Sequence, residues 1–119
     1  MKTKANLAEL VWEVGPPLVS KHIVETRHVQ ACSAISADFA AVARAEGFEA
    51  KTVRRNNHTV VIVMTAEGAI EVDLSAIQFE FKPDQSGRMD PVQAHAVEMA
   101  RIIEIVKADP FKTIRLKEL

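Results

Sequence analysis

The sequence predicts an α+β fold, with helices before and after a small antiparallel sheet. Three observations carry that prediction. Apolar residues recur at helical spacing near both ends and in one inner segment. After Gly47 the period drops to two, as in strands. The run Val60-Val61-Ile62-Val63-Met64 is apolar on both faces of any strand it forms, which places that strand centrally.

Taken in order, Leu7, Leu10, Val11 and Val14 define a helix over residues 2–14, and Gly15-Pro16-Pro17 is expected to end it. Pro17 then opens a short helix through Val24, with Leu18, Ile23 and Val24 inward. A longer helix spans 31–45, with Ile35, Phe39, Val42 and Ala43 on one face, and stops at Gly47, suited to a left-handed residue past a helix end. Residues 49–54 read as a strand, and Asn56-Asn57 as a turn. Residues 58–65 form the central strand. Ala66-Glu67-Gly68 turns the chain into a third strand over 69–74, where Ile70, Val72 and Leu74 alternate with Glu71 and Asp73. Residues 82–91 form a polar loop with the composition of a mobile segment. The last helix spans 91–108, with Val97, Ala100, Ile103, Ile105 and Val106 inward, and an edge strand over 113–116 follows. Trp12 is expected in the core.

Length and composition bound the rest. A chain of 119 residues suits one domain over residues 1–119, and that length buries enough surface for a core without disulfides or a structural metal. The net charge of −1 is spread along the chain, so no basic stripe is offered to a phosphate backbone and nucleic acid is disfavoured. The N-terminus has neither the apolar core nor the cleavage pattern of a signal peptide. The longest apolar run, residues 60–64, falls far short of the ~20 residues of a membrane span. A cytoplasmic location is expected, with signal-independent secretion left open. The single cysteine cannot form an internal disulfide and suits a reducing compartment.

That cysteine opens the chemical argument. Cys32 falls at the start of the longer helix, where unpaired backbone amides and the helix dipole favour an anion such as a thiolate. A nucleophilic thiolate needs a base, and the base needs an orienting group. His58 opens the central strand, and Asp73 closes the next one. A turn centred between Thr65 and Ala66 sets the two directly opposite. A turn at Glu67-Gly68, which the glycine favours, sets Asp73 two pairs away. The helix bearing Cys32 is expected to pack across the sheet face they share.

The segment Cys32-SAISADFAAVARAEGFEAKTV resembles the nucleophile helix of transglutaminase-like and small papain-like peptidases, in which Gly and an apolar residue follow the cysteine by about fifteen positions; here they are Gly47-Phe48. His58-TVVIVMTAEGAIEV-Asp73-LSAIQF is similar to the rest of that pattern, a histidine opening an apolar strand and an aspartate ending the next. The resemblance covers residues 30–80, about half the chain. It implies a papain/transglutaminase-like core, with flanking N- and C-terminal helices, and a Cys32–His58–Asp73 triad. It also implies acyl transfer at a peptide or carboxamide bond of a protein or peptide substrate, without metal or cofactor. Family members often carry Gly or Asn before the cysteine and Ala-Trp after the histidine, where this chain has Ala31 and Thr59-Val60. Thr26 stands at the papain oxyanion glutamine position, and Gln30 is the candidate for that role beside the Cys32 amide.

Each residue also has a plainer reading. Cys32 shares the spacing of the apolar face (32, 35, 39, 43) and fits a core thiol. His58 fits a residue bonded to the Asn56-Asn57 turn, and Asp73 a solvated strand position. His22, His28 and Cys32 lack the close pairing of zinc ligands. A non-catalytic binding or adaptor module that keeps the same fold, and a homodimer or other protein partner, are the competing expectations.

Overall fold

The computed structural model describes residues 1–119 and is α+β, with three α-helices and one four-stranded antiparallel sheet. Helix α1 runs Lys4–Val19 and continues into a π-helical turn, Ser20–Glu25; α2 is Cys32–Ala45 and α3 is Pro91–Ala108. The strands are β1 (Glu49–Arg55), β2 (His58–Thr65), β3 (Gly68–Asp73) and β4 (Arg115–Glu118), in the spatial order β1-β2-β3-β4. Two 3-10 turns, Ala76–Glu80 and Pro110–Thr113, flank α3. No helix is long and apolar enough to cross a membrane.

Helix α1 starts on a reciprocal cap, in which the Asn6 amide donates to Thr3 Oγ1 (3.1 Å) and the Thr3 amide to Asn6 Oδ1 (3.0 Å). It does not stop at Gly15-Pro16-Pro17. Without a Cβ, Gly15 removes the usual clash ahead of a proline. It also lets α1 approach the core so closely that an added Cβ would lie 3.0 Å from Ile114 Cδ1 and 3.4 Å from Leu74 Cδ2. The carbonyls that the prolines leave without an amide, those of Trp12 and Glu13, belong to exposed residues that water can serve.

The end of α2 follows its sequence. Gly47 adopts φ +93, the Phe48 amide donates to the Ala43 carbonyl and the Gly47 amide to the Arg44 carbonyl, closing the helix in a Schellman motif. Asn56 and Asn57, at φ 50 and 62, make a two-residue turn of the twist hairpins favour and pair Arg55 with His58. The second hairpin turns on Ala66-Glu67, so that Thr65 pairs with Gly68. The turn falls within the expected Ala66-Glu67-Gly68, but in neither of the two registers expected for His58 and Asp73. The Thr65 hydroxyl decides the register: it donates to the Gly68 carbonyl (2.8 Å) and accepts from the Glu67 amide (3.2 Å), while Gly68 supplies φ +119.

One cluster of 22 buried apolar residues joins the helices to one face of the sheet. Ile35, Phe39, Ala40 and Ala43 of α2 meet the face carrying Ala50, Val61, Val63, Ile70 and Val72. Trp12 is outside this core: it is 43% exposed, with its ring 5.6 Å from that of Phe111. Val97 is likewise exposed, because the buried stripe of α3 follows Ala94, Glu98, Ile102 and Val106 and leaves it one step off.

Glu98 is the charged member of that stripe. Its carboxylate accepts two bonds from Arg101 (2.6 and 3.0 Å) and one from the Lys82 amide (2.8 Å), anchoring the start of the polar loop. The Arg101 hydrogen bonds hold this carboxyl below its ordinary value of 4.5. A carboxyl whose pKa is depressed by folding stabilises the protein above its unfolded value, and that stability is lost as pH falls through the folded one. We expect Glu98→Gln to be the less stable protein near neutrality and the two melting temperatures to converge as the pH drops below about 4.5. A constant gap across that range would show that the carboxylate contributes nothing.

Candidate active site

His58 and Asp73 meet. His58 Nε2 and Asp73 Oδ2 lie 2.8 Å apart, with both residues buried. Continuing the observed pairing sets Asp73 opposite Val60, so His58 is one diagonal step away on the same face, within reach of a long side chain. The other carboxylate oxygen, Oδ1, accepts from the Ser75 amide at 3.0 Å. An ionised Asp73 can only accept, and in that state the proton of the His58–Asp73 bond belongs to Nε2. Nδ1, the remaining ring nitrogen, is buried and has no hydrogen-bond partner.

Cys32 is the first residue of α2, and its N-cap, Ala31, offers no side-chain bond. The first bond within the helix runs from the Ile35 amide to the Ala31 carbonyl, so the amides of Cys32, Ser33 and Ala34 precede the helical ladder. The start of α2 is tied to the start of β2. Ser36, one turn beyond Cys32 on the same side of the helix, donates to the Thr59 carbonyl (3.0 Å), and Ser33 Oγ lies 3.2 Å from Thr59 Oγ1. Arg54 Nη1 donates to both hydroxyls at 3.1 and 3.0 Å. Thr59 is the residue after His58, so Cys32 and His58 sit at adjoining ends of two packed elements.

The expected packing face is corrected here. Helix α2 covers the face of Thr59, Val61 and Val63, whereas His58 and Asp73 share the opposite face with Val60 and Ile62. The core demands this, because Val61 and Val63 pair with Ile70 and Val72 and all four are needed against the helices. Cys32 and His58 therefore lie on opposite sides of the sheet's end rather than across one shared face. No hydrogen bond joins the sulfur to the ring.

Cys32 lines a small cleft of about 290 Å³ with Gln30, Ser33, Arg54, Asn57 and Gln78. His58 is not among the lining residues, but its chain neighbour Asn57 is. Gln30 lines the same cleft as Cys32, and its own amide donates to His28 Nδ1 (3.0 Å). Gln78 is the addition that sequence reasoning did not assign. Its signal lay in the phrase VDLSAIQF, but only the 3-10 turn after β3 carries it to the cleft. Next to it, Phe79 sets its ring 4.6 Å from that of His58.

The buried polar side-chain atoms without partners are His58 Nδ1, Ser75 Oγ and Gln78 Oε1. A buried unsatisfied group costs about 1–3 kcal/mol, so such atoms call for a functional or conformational reason. The other histidines lie elsewhere. His22 Nε2 is 2.6 Å from Asp38 Oδ2, a contact that holds the Asp38 carboxyl below its ordinary range, and His28 and His95 are exposed. No group of three or more His, Cys, Asp or Glu side chains is arranged to hold a metal ion. No known protein family, curated protein or solved structure matches this chain.

Proposed function

We propose that the protein is a cysteine-dependent acyl-transfer enzyme with a papain/transglutaminase-like core, acting on a peptide or carboxamide bond. The observation that carries this reading is the His58–Asp73 pair, in which Nε2 faces Asp73 and Nδ1 has no partner; with Asp73 ionised, this is the tautomer protonated at Nε2. A base in that tautomer can accept one proton, and the thiol at the tip of the adjoining helix is the candidate to give it.

In this mechanism Cys32 transfers its proton to Nδ1 and its sulfur attacks the substrate carbonyl carbon. Oxygen takes the displaced electron pair, facing the free amides at the start of α2 and the carboxamides of Gln30 or Gln78. One such donor is worth roughly 3–4 kcal/mol of barrier. The imidazolium returns the proton to the leaving amine as the C–N bond breaks, giving a thioester on Cys32. Water then attacks, yielding a carboxylic acid, or a second amine attacks, yielding a new amide. The sulfur must close on Nδ1 for the first step, and catalytic hydrogen bonds commonly tighten only once substrate is bound.

The absent Cys32–His58 bond favours the rival reading, a non-catalytic module in which Cys32 is a core thiol. Alkylation separates them, and the single cysteine makes the site of labelling unambiguous. Iodoacetamide at neutral pH is expected to label Cys32 in the native protein, with His58→Ala slowing the reaction at least about tenfold because the thiolate is the reacting form. Labelling that waits for denaturant, at the same rate in both proteins, would remove the enzyme reading.

A further inference from the structure

We propose that the outer part of the 3-10 turn after β3, Gln78–Glu80, is a cap over His58, and that the base becomes available only when the cap lifts. The inference rests on the reading of His58 as the base and names a control on that same site.

Three observations meet at this turn. Phe79 packs one side of its ring against His58 at 4.6 Å, yet is 56% exposed, so it covers the imidazole without belonging to the core. The nitrogen that the mechanism needs is sealed and unbonded, and so is Gln78 Oε1 of the covering segment. A closed form that leaves both of these atoms without partners gives each a bond to gain on opening to water or substrate.

The attachment of the turn is uneven, as a hinged cap requires. Its inner end is fixed: Ala76 and Ile77 are buried, and the Ile77 amide donates to Thr113 Oγ1 at 2.9 Å. Beyond Ile77 the outer residues have little hold. The Gln78 and Phe81 amides bond only within the turn, to Ser75 and Gln78 carbonyls, and the Glu80 carbonyl receives one long bond of 3.5 Å from Arg101. Phe81 is pinned again, with its ring 4.9 Å from that of His95. The movable part is therefore three residues between two anchors, and it includes the residue that lines the Cys32 cleft, Gln78. Lifting it would uncover the ring and reshape the cleft in one motion.

The test reads His58 directly, without a substrate. Diethylpyrocarbonate acylates accessible unprotonated imidazole, and peptide mapping resolves His58 from the exposed His28 and His95, which serve as internal standards. We expect His58 in the native protein to react at least tenfold more slowly than those standards. Phe79→Ala should raise its rate about tenfold with the melting temperature held, and Phe79→Leu should fall between. Native-state hydrogen exchange supplies a measurement independent of any variant: the Phe81 amide should exchange orders of magnitude faster than that of Val61 in β2. Unchanged His58 protection in Phe79→Ala, or Phe81 protection equal to that of β2, would overturn the cap. If Phe79→Ala uncovers His58 while Cys32 alkylation ignores His58→Ala, the cap stands and the enzyme reading falls. The opposite pair of results leaves the enzyme and removes the cap.

Discussion

Asp73→Asn lowers the His58-dependent reactivity of Cys32, and turnover of any substrate found, by about 10²–10⁴-fold while the fold persists. The size of the effect follows from two bonds on one carboxylate. Oδ1 accepts from the Ser75 amide and Oδ2 from His58 Nε2. An asparagine has only one oxygen, and the Ser75 amide, a buried donor that needs an acceptor, claims it. The side-chain NH₂ must then face Nε2 and donate to it, which moves the ring proton to Nδ1. A ring protonated at Nδ1 cannot take the thiol proton. Asp73→Ala should cost less than Asp73→Asn if the tautomer is the cause, since it permits either form. Alkylation rates and ring nitrogen chemical shifts measure both; retention of the wild-type rate in Asp73→Asn would show that Nδ1 is not the base.

Phe39→Ala is expected to destabilise the protein by about 3–5 kcal/mol, the range for truncating a fully buried aromatic residue. Phe39 is completely buried on the side of α2 that meets the sheet, among the largest sealed side chains. Domains are stable by only about 5–15 kcal/mol, so this single change approaches the limit of folding. Urea unfolding at equilibrium measures it. A loss below about 1 kcal/mol would mean that the helix–sheet interface collapses to refill the space.

The features legible in the sequence are those set by neighbouring residues. Asn56-Asn57 fixes its hairpin because consecutive left-handed residues are a local property, and Gly47 ends α2 for the same reason. The order Cys32, His58, Asp73 was readable, and the contact of the last two follows once both lie on one sheet face. Features set by distant partners were not readable. Gly15-Pro16-Pro17 has the composition of a helix stop, and what keeps it helical is the close approach to Ile114 and Leu74 from the far side of the sequence. The second turn depends on a hydroxyl, Thr65, whose role no periodicity encodes. Which sheet face α2 covers is set by the demand of Val61, Val63, Ile70 and Val72 for burial against the helices, a tertiary requirement that the spacing of His58 and Asp73 does not encode. The placement of Gln78 and Phe79 depends on a short turn with neither helical nor strand period, so the covering of His58 surfaced only in three dimensions.

Strand β1 is an outer strand whose seven residues hold Lys51, Arg54 and Arg55 against a single carboxylate, Glu49. Arg55 is paired with Glu71 of β3, but were two molecules to zip together along this border, the Lys51 and Arg54 heads of both, four in all, would crowd strands about 4.8 Å apart, inside the roughly 8 Å over which physiological salt mutes charge. Self-stacking into longer ribbons is penalised there, a guard that outermost strands commonly need. A visiting strand rich in aspartate or glutamate would meet no such resistance.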